Sequence, residues 1–134
     1  MKKVFTNGCF DLFHPGHLYL LDEASKLGSL TVAVDSDKSV KNFKGSDRPI
    51  ISSYNRAYMV ERCKGVFNVI RDFESKDLGK ILENFDVYVK GGDYTEEQLR
   101  KELPNFKGEI VIIPSFFKDE YSTTKIIERI RNGK

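Results

Sequence analysis

The stretch Lys3-Val4-Phe5-Thr6-Asn7-Gly8-Cys9-Phe10-Asp11-Leu12-Phe13-His14-Pro15-Gly16-His17 decides the fold. Lys3 to Thr6 is a short apolar run stopped by Asn7-Gly8, the signature of a strand entering a turn. Pro15 and Gly16 then open a second segment. Leu18, Leu21, Ala24 and Leu27 follow at helical spacing and Gly28 closes them. Strand, polar turn and helix in that order are the first half of a βαβ unit.

The alternation continues along the chain. Leu30 to Val34 reads as a strand that stops at Asp35-Ser36-Asp37, and the polar stretch from Lys38 to Pro49 reads as a loop. Ser52 is placed to cap a helix running to about Lys64, with Gly65 as its stop. Val66 to Ile70 is a third strand, and Leu78, Ile81, Leu82 and Phe85 mark an amphipathic helix. Asp86 to Lys90 is a fourth strand ending at Gly91-Gly92. Thr95 can cap a short helix to about Leu103, and Pro104 closes it. Glu109 to Ile113 is a fifth strand. Ser122 can cap a last helix with Ile126, Ile127 and Ile130 on one face. Strands alternating with helices imply an α/β protein with a parallel sheet covered on both faces. Ligands of such sheets bind beyond the carboxyl ends of the strands, at the switch point. The places to inspect are therefore Asn7 to His17, Gly91 to Tyr94 and Pro114 to Ser122.

Bulk properties narrow the class. A chain of 134 residues, 40% hydrophobic and 31% charged, suits one globular domain, residues 1–134. A net charge of +2 argues against nucleic acid or an anionic membrane as partner. No apolar run approaches the roughly 18 residues of a membrane span. The N-terminus enters a strand without the apolar stretch of a signal peptide. Cys9 and Cys63 form no disulfide framework or metal spacing, so a reducing cytoplasm is expected.

Both histidines of the chain, His14 and His17, lie in the opening stretch. Proline is pre-organised for the first helical position, so the helix should start beside them. A helix start offers backbone N–H groups and a partial positive charge that attract phosphate. Two imidazoles there can donate to phosphate oxygens, and Gly16 admits a nucleotide close to the backbone. A single histidine in such a place is more often a cap or a surface residue; the pair directly after a first strand favours a site. Zinc would need further ligands that the spacing does not supply. Cys9 is read as a small loop residue rather than a nucleophile. Gly91, Gly92 and Asp93 would let a base and ribose lie against backbone, with the carboxylate on ribose hydroxyls or a cation. Ser122, Thr123 and Thr124 would cap the last helix and offer hydroxyls and N–H groups to phosphates. Phe116, Phe117 and Tyr121 would pack the loop or help line the base pocket, packing being favoured. The loop after the first strand lacks Gly-x-Gly-x-x-Gly, which argues against a dinucleotide redox protein.

Thr6-Asn7-Gly8-Cys9-Phe10-Asp11 with His14-Pro15-Gly16-His17 resembles the first signature of the cytidylyltransferase-like branch of the His-x-Gly-His nucleotidyltransferases. Ser122-Thr123-Thr124-Lys125-Ile126-Ile127 resembles the second. The resemblance spans nearly the whole chain. It implies a Rossmann-like open sheet of strand order 3-2-1-4-5, a homodimer, and transfer of a nucleoside monophosphate from a nucleoside triphosphate to a phosphorylated small molecule, with Mg²⁺ on the triphosphate. Asn7 to Asp11 and Val89-Lys90-Gly91-Gly92-Asp93-Tyr94 resemble the adenylyltransferase domain that makes ADP-heptose. The related glycerol-3-phosphate cytidylyltransferases carry an arginine where this chain has Phe117. The heptose branch carries a glycine where this chain has Glu120. The bifunctional heptose enzymes carry a sugar kinase domain as well, so a kinase acting with this chain is expected to be a separate protein.

The resemblance implies catalytic roles for His14, His17 and Lys44, the last on the β- and γ-phosphates. It implies nucleotide contacts from Thr6, Asn7, Gly8, Cys9, Phe10, Gly16, Gly91, Gly92, Asp93, Ser122, Thr123 and Thr124. Asp11, Lys41 and Arg56 would serve the acceptor; Asp11 could also help bind the metal or support its loop, and Arg56 could contact the nucleotide phosphates or be a helix-surface residue. Lys38, Arg62 and Lys64 read as surface residues. Two rivals stand beside this reading: the same chemistry on CTP and glycerol 3-phosphate or on a flavin phosphate, and a non-catalytic nucleotide-binding module.

Overall fold

The computed structural model describes residues 1–115 and 120–133; Phe116 and Phe117 lie outside the described residues. Five parallel strands, β1 (Lys3–Gly8), β2 (Ser29–Asp35), β3 (Val66–Phe73), β4 (Val87–Gly91) and β5 (Glu109–Ile113), form one sheet in the order β3-β2-β1-β4-β5. Six helices connect or flank them: α1 (Pro15–Ser25), α2 (Asp37–Lys44), α3 (Ser53–Glu61), α4 (Leu78–Leu82), α5 (Glu96–Glu102) and α6 (Thr123–Asn132). The order reverses between β1 and β4, each of which starts a run of strands outward. The expected strand order and class are those observed.

The inner strands β1, β2 and β4 are buried on both faces, as a parallel sheet requires. One core holds Val4, Leu30, Val32, Val34, Val87 and Val89 against Leu21 and Ala24 of α1 and Ala57 and Val60 of α3. The other holds Phe5, Ala33, Phe73 and Tyr88 against Leu82 and Leu99. Successive residues Val4 and Phe5 thus serve opposite cores, the two-residue period of a strand. Gly28 makes the return from α1 possible: its φ is 157°, and a Cβ there would stand 2.2 Å from the Lys2 carbonyl oxygen.

Three local expectations differ from the structure. Residues Lys38 to Lys44, read as loop, belong to helix α2. Ser36 caps it by accepting from the Ser39 N–H, Asp37 lies in its first turn, Lys41 and Lys44 in its last, and Gly45 ends it at φ 111°. Helix α3 ends at Glu61, earlier than the expected Lys64, and Ser52 makes no side-chain cap. The Asp37 carboxylate takes that duty, accepting the Ser53 N–H at 2.9 Å. Strand β3 runs three residues past Ile70, and a single 3-10 turn precedes the short α4. Among the described residues, no helix is long and apolar enough to cross a membrane.

Candidate active site

The carboxyl end of β1 is fastened to β4 before the chain turns away. The Thr6 hydroxyl donates to the Val89 carbonyl at 2.7 Å. The Asn7 side chain accepts from the Tyr88 hydroxyl at 2.7 Å, and its main-chain carbonyl from Lys90 Nζ at 2.8 Å. Phe10 and Leu12 then adopt left-handed φ values of 55° and 49°, a strained geometry typical of functional loops. Phe10 drops its ring into the core, edge-on to His17. Gly8 stays bare because a Cβ would stand 3.1 Å from that ring.

The buried Asp11 carboxylate holds the loop from the other side. Its oxygens accept the N–H groups of Leu12, Ile50 and Ile51 at 3.1, 2.7 and 2.9 Å. Arg56 is fully buried as well, donating to the carbonyls of Ile51 and Cys9 and to the Asp37 carboxylate at 2.7–2.8 Å. Asp11 and Arg56, both expected at the acceptor, thus clamp the β1–α1 loop to the segment before α3. Lys41 is exposed and lies outside the cavity wall.

His14 and His17 cap α1 reciprocally. Nδ1 of His14 accepts the Gly16 N–H at 3.1 Å, and Nδ1 of His17 accepts the His14 N–H at 3.2 Å. The rings stack with centroids 3.8 Å apart. Contrary to the expectation of free N–H groups at the start of α1, His14 Nδ1 takes that of Gly16, the His14 carbonyl takes that of His17 at 3.0 Å, and Pro15 has none. With both Nδ1 atoms accepting, a neutral ring carries its proton on Nε2. Burial, the neighbouring His14 and the Lys44 charge push the His17 pKa from 6.5 to about 3, and burial lowers that of His14. The pair is therefore neutral at pH 7, two Nε2–H donors with fixed tautomers.

A cavity of about 340 Å³ opens beyond β1, β4 and β5. His14, Gly16, His17 and Lys44 line one side, and Ser122, Thr123 and Thr124 at the start of α6 line another. Gly91, Asp93 and Ser115 form its floor. Ser122 caps α6 by accepting the Lys125 N–H at 3.1 Å, and the Thr123 hydroxyl donates to the Asp11 carbonyl at 2.8 Å. Gly92 stands beside the wall, its N–H donating to Ser115 Oγ at 3.2 Å. The cavity thus collects the histidines, Lys44, Gly91, Asp93 and the Ser-Thr-Thr run. Thr6 to Asp11 and Arg56 stand behind it as supports.

Of the residues in or near the cavity that carry no expectation of their own, Tyr19 and Leu20 line the wall, and Ser115 and Lys90 add polar groups. Ser115 was within the stretch to inspect but was not singled out. Lys90 lies inside a motif quoted for its glycines. Its ammonium is buried, sits 4.6 Å above the Tyr94 ring, and is pushed down to about 8, chiefly by burial. It remains largely charged at pH 7 and adds a positive charge behind the β1–β4 crevice. The described residues hold no cluster of metal-ligating side chains. Among the described residues, Asp93 is the one carboxylate in the wall.

A sheet with its switch point at β1 and β4, and a cavity there lined by neutral imidazole donors, a lysine and a helix start, are the parts of a nucleotidyltransferase. The chain belongs to the cytidylyltransferase-like family, whose profile matches residues 5–129. It is similar to the bifunctional protein HldE of Desulfatibacillum aliphaticivorans, 39% identical over 138 aligned residues, with 99% of this chain and 28% of that protein covered. The chain thus spans little more than a quarter of such relatives. Among solved structures it is similar to the lipopolysaccharide core biosynthesis protein of Thermoplasma volcanium GSS1. There the TM-score is 0.71 and the identity 27%, over 86% of this chain and 96% of the other. A putative nicotinate-nucleotide adenylyltransferase of Vibrio parahaemolyticus shares the fold at a TM-score of 0.55 and 13% identity, over 100% of this chain and 83% of that one.

Proposed function

We propose that the chain transfers a nucleoside monophosphate, AMP in preference, from a nucleoside triphosphate to a sugar phosphate, heptose 1-phosphate in preference, and releases pyrophosphate. The carrying observation is the stacked, neutral His14–His17 pair facing one cavity with Lys44 and the start of α6. An acceptor phosphate is already an anion and needs no strong base. One of its oxygens attacks the α-phosphorus and forms the new P–O bond. The bond from the α-phosphorus to the bridging oxygen breaks, and its electron pair leaves on pyrophosphate. His14 and His17 donate from Nε2 to the α- and β-phosphate oxygens as charge moves toward the leaving group. Lys44 and the α6 start hold the β- and γ-phosphates. Gly91, Gly92 and Asp93 take the base and ribose. Catalysis on this account is positioning and charge stabilisation.

Mg²⁺ fits this site as a companion of the triphosphate rather than as a resident ion, because among the described residues Asp93 is the lone carboxylate of the wall. When bound it neutralises charge on the phosphates. The sugar-phosphate preference is supported by the likeness to HldE and to a lipopolysaccharide core biosynthesis protein, and by the two motifs shared with the ADP-heptose branch. On the same footing the protein works in the reducing cytoplasm, where Cys9 and Cys63 stay free thiols. It works as a homodimer, for which the exposed Tyr54 and Phe67 on α3 and edge strand β3 offer an apolar surface.

The test is pyrophosphate release with Mg²⁺, crossing ATP and CTP against heptose 1-phosphate and glycerol 3-phosphate. Fast release with ATP and heptose 1-phosphate supports the proposal. Preference for CTP and glycerol 3-phosphate keeps the chemistry and overturns the substrates. Nucleotide binding without release from any pair points to a non-catalytic module.

A further inference from the structure

Arg48 lies four residues beyond Lys44, in the segment between α2 and α3. Its side chain is only 10% exposed. Its Nε is the one buried side-chain polar atom among the described residues without a hydrogen-bond partner. The counter-charge is Asp11, with Oδ2 3.9 Å from Nε, beyond hydrogen-bond range. That carboxylate instead accepts the N–H groups of Leu12 and Ile51 on Oδ1 and of Ile50 on Oδ2. Asp11 thus offsets charge without satisfying the guanidinium. Leaving a buried, charged donor unpaired is destabilising, and its planar fork of N–H groups matches a phosphate.

The surroundings say which phosphate. Two contacts, Arg48 to Asp11 and the Asp11 carbonyl to the Thr123 hydroxyl, link Arg48 to the cavity wall. Lys44, one helix end away, lines that wall. The nucleotide phosphates have the histidines, Lys44 and α6. Of the cations expected at the acceptor phosphate, Arg56 is engaged by Ile51, Cys9 and Asp37, and Lys41 is exposed; Lys41 and Arg48 both lie outside the cavity wall, but Arg48 is buried and joined to it through Asp11 and Thr123. Arg48 is a buried cation whose Nε lacks a hydrogen-bond partner, beside a site whose second anion lacks a cation.

We propose that Arg48 binds the phosphate group of the acceptor and holds it for attack on the α-phosphorus. The proposal rests on the transfer reading above. It is tested with Arg48→Met, which keeps length and removes charge, and Arg48→Lys, which keeps charge and removes the fork. The first readout is the melting temperature during titration of inorganic phosphate, with Mg²⁺ and a non-hydrolysable ATP analogue filling the nucleotide site. The second is KM for acceptor and for ATP in pyrophosphate release. Phosphate should stabilise the wild type and not Arg48→Met. That variant should raise the acceptor KM by about 10–100-fold while the ATP KM stays within about twofold, and Arg48→Lys should fall between. Without phosphate, Arg48→Met should melt no lower than wild type, because it removes an unpaired buried donor. Equal phosphate stabilisation of wild type and Arg48→Met, or a joint rise of both KM values with a lower melting temperature, overturns the proposal. Should the wild type turn over no acceptor, the transfer reading fails, and the phosphate titration by itself still upholds or refutes the anion site.

Discussion

Replacing His17 by alanine removes two separate things, and the structure says how large each is. The first is a cap: His17 Nδ1 accepts the His14 N–H at 3.2 Å, and losing such a bond destabilises a helix start by about 0.5–2 kcal/mol. Against a typical stability of about 5–15 kcal/mol, the variant still leaves fewer than about one molecule in a hundred unfolded at 25 °C. The expected fall in melting temperature is about 3–5 °C per kcal/mol for a chain of this size. The second is the Nε2–H donor. Removing one preorganised donor of this kind lowers turnover by about 10²–10³-fold, far more than the folded fraction can explain. The assay is kcat for pyrophosphate release at saturating substrates, beside a thermal melt. A second variant, His17→Gln, separates the terms, because glutamine at the third helical position can also accept the His14 N–H. It should restore most of the melting temperature and little of the rate. A His17→Ala enzyme within about threefold of wild-type kcat would refute the reasoning, as would recovery of rate and melting temperature together in His17→Gln.

Other expectations follow from the same geometry. A Cβ at Gly16 would stand 2.9 Å from His14 Cε1, so Gly16→Ala should push the ring aside and lower kcat by about tenfold or more with little change in melting temperature; unchanged kcat contradicts the ring's placement. His17 titrates from 6.5 in the unfolded chain to about 3 in the fold, so the unfolded state binds the extra proton between those values. Stability from this group is complete above pH 6.5 and is lost as pH falls toward 3, by up to about 1.4 kcal/mol per pH unit. Urea unfolding at pH 7 and pH 5 should therefore show a smaller pH dependence in His17→Ala than in wild type, and identical dependence argues against the buried neutral ring. Arg56→Lys should lower stability by about 2–4 kcal/mol, because one ammonium cannot reach Ile51, Cys9 and Asp37 together. A urea midpoint equal to wild type would show that the clamp does not hold the loop.

The sheet was legible because its signals are local. Val4-Phe5 and Leu30 to Val34 announce strands by composition, and Gly28, Pro104 and Pro114 punctuate them. His14, Pro15, Gly16 and His17 fall within one turn of helix, so their convergence needs no knowledge of distant contacts. Helix α2 was not legible, since its buried residues are only Ser39 and Val40, too few to leave an apolar period. The capping signals at Ser36 and Gly45 were the available clue. Support of its loop was one of the duties open to Asp11, but the groups that Asp11 and Arg56 hold were hidden for another reason. Their partners lie 39–40 and 47 positions away, and nothing in a linear sequence distinguishes a charge that will be buried by such partners from one that will meet a ligand. A separation of 16 positions likewise hid the substitution of Asp37 for Ser52 as the cap of α3. The histidines were found, but their mutual capping emerges only once the helix start has a geometry.

The most direct measurement follows the phosphorus atoms of the nucleotide by ³¹P NMR during turnover with a sugar phosphate. The account predicts inorganic pyrophosphate and a new diphosphate linkage joining the nucleotide's α-phosphorus to the acceptor's phosphate, both absent in His17→Ala over the same period. ADP with a doubly phosphorylated acceptor, or free AMP with an untouched acceptor, would contradict it.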